Sequence, residues 1–210
     1  MVSKSLMLSL GGLGIAGVGG VGIGLVGVYY LNKGTETPKV TLSTKYDKAL
    51  INFNSDDVIW NSKLSTLETQ SSIPKNENLI KAKNEKKAGN VDAAKAFLKS
   101  GCRDIYSKSP ESKDDFNDFK NFCSKLYLDQ ISGGKVITEI ADLDNKWDTF
   151  KGKTDDHLSG EFRKIHESKK SSTTEPTDWK QLVLAECQKL SSSIFVGEVK
   201  GYQEFCFKKQ

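Results

Sequence analysis

The sequence predicts a mainly α-helical, all-α protein: an N-terminal transmembrane helix followed by a helical body of two similar cysteine-paired units. Three observations predict this class. Residues 6–31 carry no charge, apolar residues of the body recur every three or four positions, and the four cysteines form two similarly spaced pairs. We expect an anchor over 1–33, a linker over 34–44, a first unit over 45–132 and a second over 135–210.

The N-terminal stretch, residues 6–31, has the length of a membrane span. It holds nine glycines, sixteen apolar or tyrosine residues and one serine. A span needs about 20 such residues, because a helix rises about 1.5 Å per residue across a core of about 30 Å. Tyr29 and Tyr30 stand where an interfacial aromatic belt would lie. We therefore expect an uncleaved anchor, with the lipid bilayer as its partner.

Two other interpretations of this stretch compete with the anchor. A cleaved signal peptide has an apolar region of about 7 to 15 residues and a small-residue cleavage site, which fits this stretch poorly. The pattern G-x-G-x-x-G occurs twice, but a dinucleotide site follows a strand, opens a helix and has an acidic residue about 20 positions on. The glycines here recur within one apolar run. We therefore expect no nucleotide, and no other cofactor.

Small residues repeat every four positions within the predicted span, at Gly12, Ala16, Gly20 and Gly24. That spacing places them on one helix face, where small side chains let two membrane helices approach closely. Self-association through the membrane helix is therefore one hypothesis. The alternative is that glycine is simply common in membrane spans.

Charges beside the span do not settle its orientation. Lys4 precedes it, whereas Lys33 and Lys39 follow it, and lysines near the ends favour the cytoplasmic side. The paired cysteines favour the opposite orientation, because disulfides persist in oxidising compartments. We expect a single-pass protein of the cell membrane with an extracellular body.

The two cysteine pairs stand in repeated surroundings. Two adjacent apolar residues lie five and four positions before Cys102, and another lies three positions after it. Cys187 has apolar residues at the same three positions. Cys123 and Cys206 each follow apolar residues by one, four and seven positions. A tryptophan lies 42 residues before the first cysteine of one pair and 40 before that of the other. The period near 85 exceeds the 20 to 50 residues of solenoid repeats, so tandem modules are expected.

Apolar periodicity predicts the helices of both units. Three runs place their members on one helix face: Phe116, Phe119, Phe122 and Leu126; Val136, Ile140, Leu143, Trp147 and Phe150; Leu158, Phe162 and Ile165. No sustained two-residue alternation predicts a sheet, and the segment 195–199 is the best candidate for an exception.

Turn residues predict where the helices end. Ser109-Pro110-Glu111 has a capping serine and a proline of the first turn, so it predicts a helix start. Gly89-Asn90 is expected to end one helix and cap the next. Gly133-Gly134 is expected to separate the units, and 171–176 is another predicted break.

The cysteines allow three interpretations: structural disulfides, buried free thiols or a metal site. No C-x-x-C is present and the histidines lie away from the cysteines in sequence, so no metal is expected. Duplication favours Cys102 with Cys123 and Cys187 with Cys206. A simple hairpin turning at Pro110 would leave the first pair about 9 Å apart in height. A longer turn or a skewed second helix is therefore needed, because bridged Cα atoms lie within about 7 Å.

Clusters that resemble catalytic or ion sites have simpler explanations. The segment Asp142 to Trp147 begins like a calcium loop but has tryptophan where glycine is required. Asp155-Asp156-His157 is explained as acids at a helix start, which complement the helix dipole. His166 is expected to be solvated. The sequence therefore predicts no catalytic residue and no enzyme.

The charge composition argues against a nucleic-acid partner. Net charge is +4, but the 31 basic residues comprise 29 lysines and only two arginines. Arginine is the residue suited to bidentate contacts with guanine and phosphate. A solvated lysine-rich helical surface explains the positive charge.

The glycine-rich stretch 11–31, ending Tyr-Tyr-Leu-Asn, the dipeptide Gly101-Cys102 and the Phe-Cys dipeptides at 122–123 and 205–206 carry a resemblance. Together with the lysine bias, they resemble the paralogous membrane-anchored protein families of haemotropic mycoplasmas (haemoplasmas). The resemblance implies a surface protein of a wall-less bacterium that lives on red cells. It brings no activity, ligand or catalytic residue.

These observations favour a non-enzymatic surface protein that binds a host surface molecule or serves as an antigen. One alternative is a membrane-tethered hydrolase or peptidase with an unrecognised site, which clustered acids or histidines in a cleft would favour. Another is a cytoplasm-facing scaffold, which reduced and buried thiols would favour.

Overall fold

The computed structural model describes residues 39–131 and 134–209. The predicted anchor over 1–33, with its stripe Gly12, Ala16, Gly20 and Gly24, lies outside the described residues. Within the described ranges, no helix is both long and apolar enough to cross a bilayer.

The described residues are mainly helical, as predicted. The helices are α1 (Leu42–Lys45), α2 (Asp57–Thr69), α3 (Glu77–Lys87), α4 (Val91–Tyr106), α5 (Lys113–Asp118), α6 (Trp147–Lys151), α7 (Gly160–Lys169), α8 (Trp179–Ser191) and α9 (Tyr202–Cys206). Short 3-10 turns span Asp47–Ala49, Tyr127–Gln130 and Ile140–Leu143, and a π-helical turn spans Phe119–Cys123. Strands β1 (Gly134–Val136) and β2 (Phe207–Lys209) pair antiparallel.

Buried side chains form two hydrophobic clusters, here called the first core and the second core. The first core is built by α1 to α5 and the π-helical turn, and the second by the chain from Tyr127 to α9. Helix α1 begins inside the predicted linker, and its Leu42 is fully buried in the first core. The packed chain therefore begins before residue 45.

Helices α3 and α4 pack closely in the first core. Gly89, at φ 85°, ends α3 in a left-handed conformation, as predicted. Asn90 takes the predicted N-cap position of α4, but its side chain makes no capping hydrogen bond to that helix. Gly101 lets the two helices approach, because a Cβ there would lie 2.9 Å from both Asn76 Oδ1 and Leu79 Cδ2. Asn76 is the N-cap of α3, so this contact places α4 against the start of its neighbour.

The predicted single helix over 136–150 is wrong. The chain there forms the end of β1, a 3-10 turn at Ile140–Leu143 and then α6. Asn145, at φ 62°, has a left-handed backbone that a continuous α-helix cannot contain. Trp147 and Phe150 are nevertheless buried in the second core. The apolar spacing therefore identified these core residues but not their elements, and it was wrong for Ile140, which is exposed.

The helix start predicted at Ser109-Pro110 is also wrong. Helix α5 begins at Lys113, and Ser112 is its N-cap, with its Oγ accepting a hydrogen bond from the Asp115 backbone N–H at 3.4 Å. A second serine three residues further on thus takes the capping role. The break predicted over 171–176 is confirmed, because α7 ends at Lys169 and α8 begins at Trp179.

The sheet lies elsewhere than predicted. Residues 195–199 form no strand, whereas β1 and β2 pair with Val136 opposite Phe207. Ile137 continues the pairing by donating its N–H to the carbonyl of Cys206 at 2.9 Å. The strands are three residues long, too short for an alternation to be visible in sequence.

A connecting segment after Cys123 joins the two cores. Its Lys125 donates its N–H to the carbonyl of Ala49 beside the first core, at 2.7 Å, and accepts from the N–H of Phe195 beside the second, at 2.9 Å. Leu126, predicted to continue a helix face, instead forms an isolated bridge with Ile194. After Cys123 the chain is no longer helical. It is extended because its backbone bonds to Ala49 on one side and to Phe195 on the other.

Candidate functional site

Two disulfides join the pairs that the repeated spacing favours. Cys102 on α4 bonds to Cys123 at the end of the π-helical turn, with Cα atoms 5.1 Å apart. Cys187 on α8 bonds to Cys206 at the end of α9, with Cα atoms 5.2 Å apart. All four cysteines are fully buried. Each core therefore encloses one disulfide between its long cysteine-bearing helix and the aromatic turn that follows.

An ion pair lies beside the first disulfide. Lys125, two residues after Cys123, places its Nζ 2.7 Å from Asp56 Oδ2. The same carboxylate oxygen accepts the N–H of Asn52 at 2.7 Å. Burial alone would raise the pKa of Asp56, but the hydrogen bonds from Lys125 and Asn52 outweigh it and hold the pKa below its usual value. The carboxylate thus stays ionised and joins the chain after Cys123 to the chain before α2.

The second disulfide has an ion pair in the corresponding place. Lys208, two residues after Cys206, places its Nζ 2.7 Å from Asp142 Oδ1. Asp142 Oδ2 accepts the N–H of Thr138 at 3.0 Å. The hydrogen bond from Lys208, together with that from Thr138, holds the pKa of Asp142 below its usual value. We call each of these two ion pairs, Asp56 with Lys125 and Asp142 with Lys208, an aspartate–lysine corner. In both, the lysine lies two residues after the second cysteine of the disulfide.

Backbone bonding beside the disulfides differs in one respect. In the second core, Ile137 N–H donates directly to the carbonyl of Cys206. In the first, Ile51 N–H donates to the Tyr106 hydroxyl at 3.1 Å, and that hydroxyl donates to the carbonyl of Cys123 at 2.8 Å. Burial raises the pKa of Tyr106 to about 12, so the hydroxyl keeps its proton for this bond.

In each core, a lysine or histidine side chain bonds to a backbone carbonyl at the end of a neighbouring helix. Lys83 on α3 donates from Nζ to the carbonyl of Gln70, which caps the end of α2. His166 on α7 contacts the carbonyl of Lys151, the last residue of α6, with Nε2 at 3.0 Å. A carbonyl only accepts, so Nε2 carries the hydrogen. His166 is buried, which corrects the expectation that it is solvated.

The acidic cluster at 155–157 lies on a turn, not at a helix start, since α7 begins at Gly160. Thr154 Oγ1 lies 2.6 Å from His157 Nδ1, and Asp156 Oδ1 lies 3.2 Å from the same ring nitrogen. A nucleophile–histidine–acid relay uses the two ring nitrogens for the two partners. Here both partners share Nδ1 on an exposed surface. The cluster therefore has the composition of a catalytic triad without its arrangement.

The calcium-like segment 142–147 likewise has a structural role. Asp142 accepts backbone N–H groups and pairs with Lys208, while Trp147 is buried. Across the described ranges, no three His, Cys, Asp or Glu side chains converge as metal ligands.

A pocket of about 310 Å³ opens where the connecting segment meets the start of α9. Its floor is formed by Tyr127 and Tyr202, which are almost fully buried, and Phe195 forms a wall. The Tyr127 ring meets Phe195 edge-on at 5.2 Å and Tyr202 edge-on at 5.5 Å, between ring centroids. Glu198 and Glu204 lie at the rim. The pocket combines an aromatic interior with two acidic side chains at its entrance.

The phenols of the pocket stay uncharged at physiological pH. Burial raises the pKa of both Tyr127 and Tyr202. The Tyr202 hydroxyl is also within 3.0 Å of Ser191 Oγ, so it is engaged inside the core. The charged side chains of the described lining are therefore the two glutamates, of which Glu204 pairs with Lys153.

Sequence reasoning missed this pocket. Its residues come from two segments about 70 positions apart, 127–131 and 195–204, and only folding brings them together. The exposed acids Glu198 and Glu204 near aromatic residues were the one available signal, and nothing in sequence connects them to Tyr127.

No protein-family model, curated protein or solved structure matches this chain.

Proposed function

We propose that the chain is a non-catalytic surface protein, in which an N-terminal membrane anchor displays a disulfide-stapled helical body outside the cell. Its role is to bind a host molecule or to present an antigenic surface. The observation that carries the proposal is the pairing of all four cysteines in two buried disulfides. Such disulfides persist in oxidising compartments and are rare in the cytosol.

The body is proposed to be a tandem duplication. Support comes from equivalent contacts: a disulfide, an aspartate–lysine corner and a side-chain bond to the carbonyl at a helix end occur in each unit. Asp56 and Asp142 are 86 residues apart, and Lys125 and Lys208 are 83 apart. Such agreement in both position and contact is expected of two copies of one module.

The absence of catalysis in this proposal is supported by the arrangement of the candidate groups. The cluster at Thr154, Asp156 and His157 uses one ring nitrogen for two partners, and His166 is buried with Nε2 facing a backbone carbonyl. Neither arrangement presents an activated nucleophile to a substrate.

Protease treatment of intact cells tests the exposed body. The full chain, with a C-terminal epitope, is produced in a wall-less bacterium, and trypsin is added before or after lysis. We expect loss of the epitope from intact cells, because the body is rich in lysine. A cytoplasmic lysine-rich protein serves as the control and must survive. If the epitope is lost only when trypsin is added after lysis, the proposal is contradicted.

Thiol labelling of the same cells separates the proposal from a cytoplasm-facing scaffold. We expect a membrane-impermeant maleimide to label the body only after reduction and unfolding. Labelling after unfolding without reduction means free thiols in the cell, and it would favour the scaffold instead.

A further inference from the structure

We propose that the pocket between residues 127–131 and α9 binds an organic cation with an apolar body, of the arylalkylammonium class. The inference deepens the proposed binding function, on which it rests, by naming the chemical class of the ligand. It depends on shape, on charge and on a comparison between the two cores.

The shape of the pocket suits an apolar group of side-chain size. Its volume of about 310 Å³ lies at the lower end of the range for small-ligand sites. Tyr127 and Tyr202 form the floor, and Ile131, Phe195 and Val199 complete the apolar lining. Each of these last three side chains is only half-buried, so apolar surface remains open to a ligand.

The charged side chains that line the pocket are acidic, which favours a cation over an anion. Lysine and arginine number 31 in this chain against 27 aspartates and glutamates, yet the charged residues of the described lining are Glu198 and Glu204. Glu204 is also held by Lys153, with Nζ 2.6 Å from Oε1. Within the described part of the chain, Glu198 is in no ion pair and is exposed. Glu198 is therefore the carboxylate available to an incoming cation.

The first core shows what fits at the corresponding place. On the correspondence proposed above, Phe116 and Phe119 match Val199 and Tyr202 of the pocket. The ring of Tyr46 covers the first pair, at 5.5 Å from Phe119 and 6.0 Å from Phe116. Lys45 Nζ in turn lies 5.6 Å from the Tyr46 ring centroid.

An aromatic ring with an adjacent ammonium therefore occupies this site in the first core, supplied by the chain itself. In the second core the Tyr127 ring meets Tyr202 at the same 5.5 Å, and a pocket with acidic residues at its rim opens beside that contact. A ligand that carries both a ring and an ammonium would pack its ring beside Tyr127 and Phe195 and supply the cation that Lys45 supplies in the first core. Cation–aromatic attraction adds to the charge pairing.

Three probes of one shape test the inference: phenethylammonium, 2-phenylethanol and 3-phenylpropionate, titrated calorimetrically into the full chain in detergent micelles. They share the phenylethyl group and differ in charge. We expect phenethylammonium to bind saturably and 3-phenylpropionate to bind at least tenfold more weakly, with 2-phenylethanol between them. Equal binding of all three, or no saturable binding of phenethylammonium, would overturn the inference.

Two variants and one control locate the binding. Glu198→Gln is expected to weaken the binding of phenethylammonium about two- to fivefold, the range for one exposed charge pair. The affinity for 2-phenylethanol should stay unchanged. Phe195→Ala is expected to weaken the binding of all three probes, because Phe195 lines the pocket. The control Glu111→Gln removes an exposed glutamate that does not line the pocket and should change nothing.

Glu198 is exposed, so its variant keeps the test valid even where Phe195→Ala fails to fold. Unchanged binding in Glu198→Gln would place the cation elsewhere and contradict the proposed site. Failure of all probes to bind would overturn this inference alone, since the protease and maleimide experiments test the surface role separately.

Discussion

The ammonium of Lys63 lies 2.8 Å from Asp129 Oδ2, and both side chains are almost fully buried, at 4% and 9% exposure. Lys63 belongs to α2 of the first core, whereas Asp129 lies in the 3-10 turn that leads to the second. The same carboxylate oxygen accepts the N–H of Leu126 at 2.8 Å. This ion pair therefore fixes the connecting segment against the first core.

Breaking that ion pair is expected to destabilise the fold strongly. Lys63→Met would leave the buried Asp129 carboxylate without its cation, which costs about 3 to 5 kcal/mol. The measurement is the free energy of unfolding from denaturant titration under oxidising conditions. Lys164→Met is the matched control, because its partner Glu161 forms an exposed pair, and it should change stability by less than about 1 kcal/mol. Equal effects of the two variants would contradict a structural role for the buried pair.

Each disulfide is expected to contribute about 3 kcal/mol of stability, mainly by restricting the unfolded chain. The cysteines are 21 residues apart in the first pair and 19 in the second, so the closed loops are nearly equal in length. The double variants Cys102→Ser/Cys123→Ser and Cys187→Ser/Cys206→Ser should therefore lose similar amounts, measured by denaturant unfolding. A difference of more than about 2 kcal/mol would show that strain or packing, and not loop length, dominates one of them.

Stability should fall in acid partly through the two aspartate–lysine corners. The pKa values of Asp56 and Asp142 are lowered in the folded protein, so between the folded and unfolded values the unfolded chain binds more protons. Their contribution is complete above the unfolded value of about 3.9 and is lost as pH falls through the folded pKa. The double variant Asp56→Asn/Asp142→Asn should therefore flatten the acid limb of a plot of unfolding free energy against pH.

Asp118 supplies an internal control of opposite sign. Its buried carboxylate accepts the N–H groups of Lys75 and Asn76, yet burial raises its pKa. Because the pKa of Asp118 is higher in the folded protein, the folded protein binds a proton at a pH where the unfolded chain does not. Asp118 therefore favours folding more as pH falls towards its pKa in the unfolded chain. Removing it as Asp118→Asn should steepen the acid limb, whereas a flattening would contradict the assigned direction.

Gly101→Ala is expected to destabilise the protein, although alanine is the better helix former. In an open helix the change would stabilise by about 1 kcal/mol. Here the new Cβ would lie 2.9 Å from Asn76 Oδ1 and Leu79 Cδ2, so α3 must move or lose its cap, at a cost of about 1 to 3 kcal/mol. The control Ala96→Gly, at an exposed position of α4, measures propensity alone. A gain in the midpoint of thermal unfolding for Gly101→Ala would contradict the close helix contact.

The local features of the fold were largely predictable from sequence. Helical spacing identified the buried residues Phe162 and Ile165 of α7, and Gly89-Asn90 marked the boundary between α3 and α4. The equal surroundings of the cysteines favoured the pairing that the structure has. These features depend on neighbouring residues, so the sequence contains the information that decides them.

The errors share a different cause. The chain at 136–150 is not one helix because β1 pairs with a strand about 70 residues away and Asn145 turns the backbone. His166 is buried because the end of α6 presents a carbonyl to it. Neither contact has a signal within the segment that it alters.

By itself, the sequence determined the helical class of the body, several of its buried apolar residues and its cysteine pairs, since helix periodicity and spacing are local properties. Only the tertiary structure decided where helices give way to extended links, which aspartate meets which lysine, and where an aromatic pocket opens. Those outcomes depend on contacts between distant segments, as when Tyr127 meets Tyr202 and Lys63 meets Asp129. Their energies arise only once burial has brought the partners together and removed them from water.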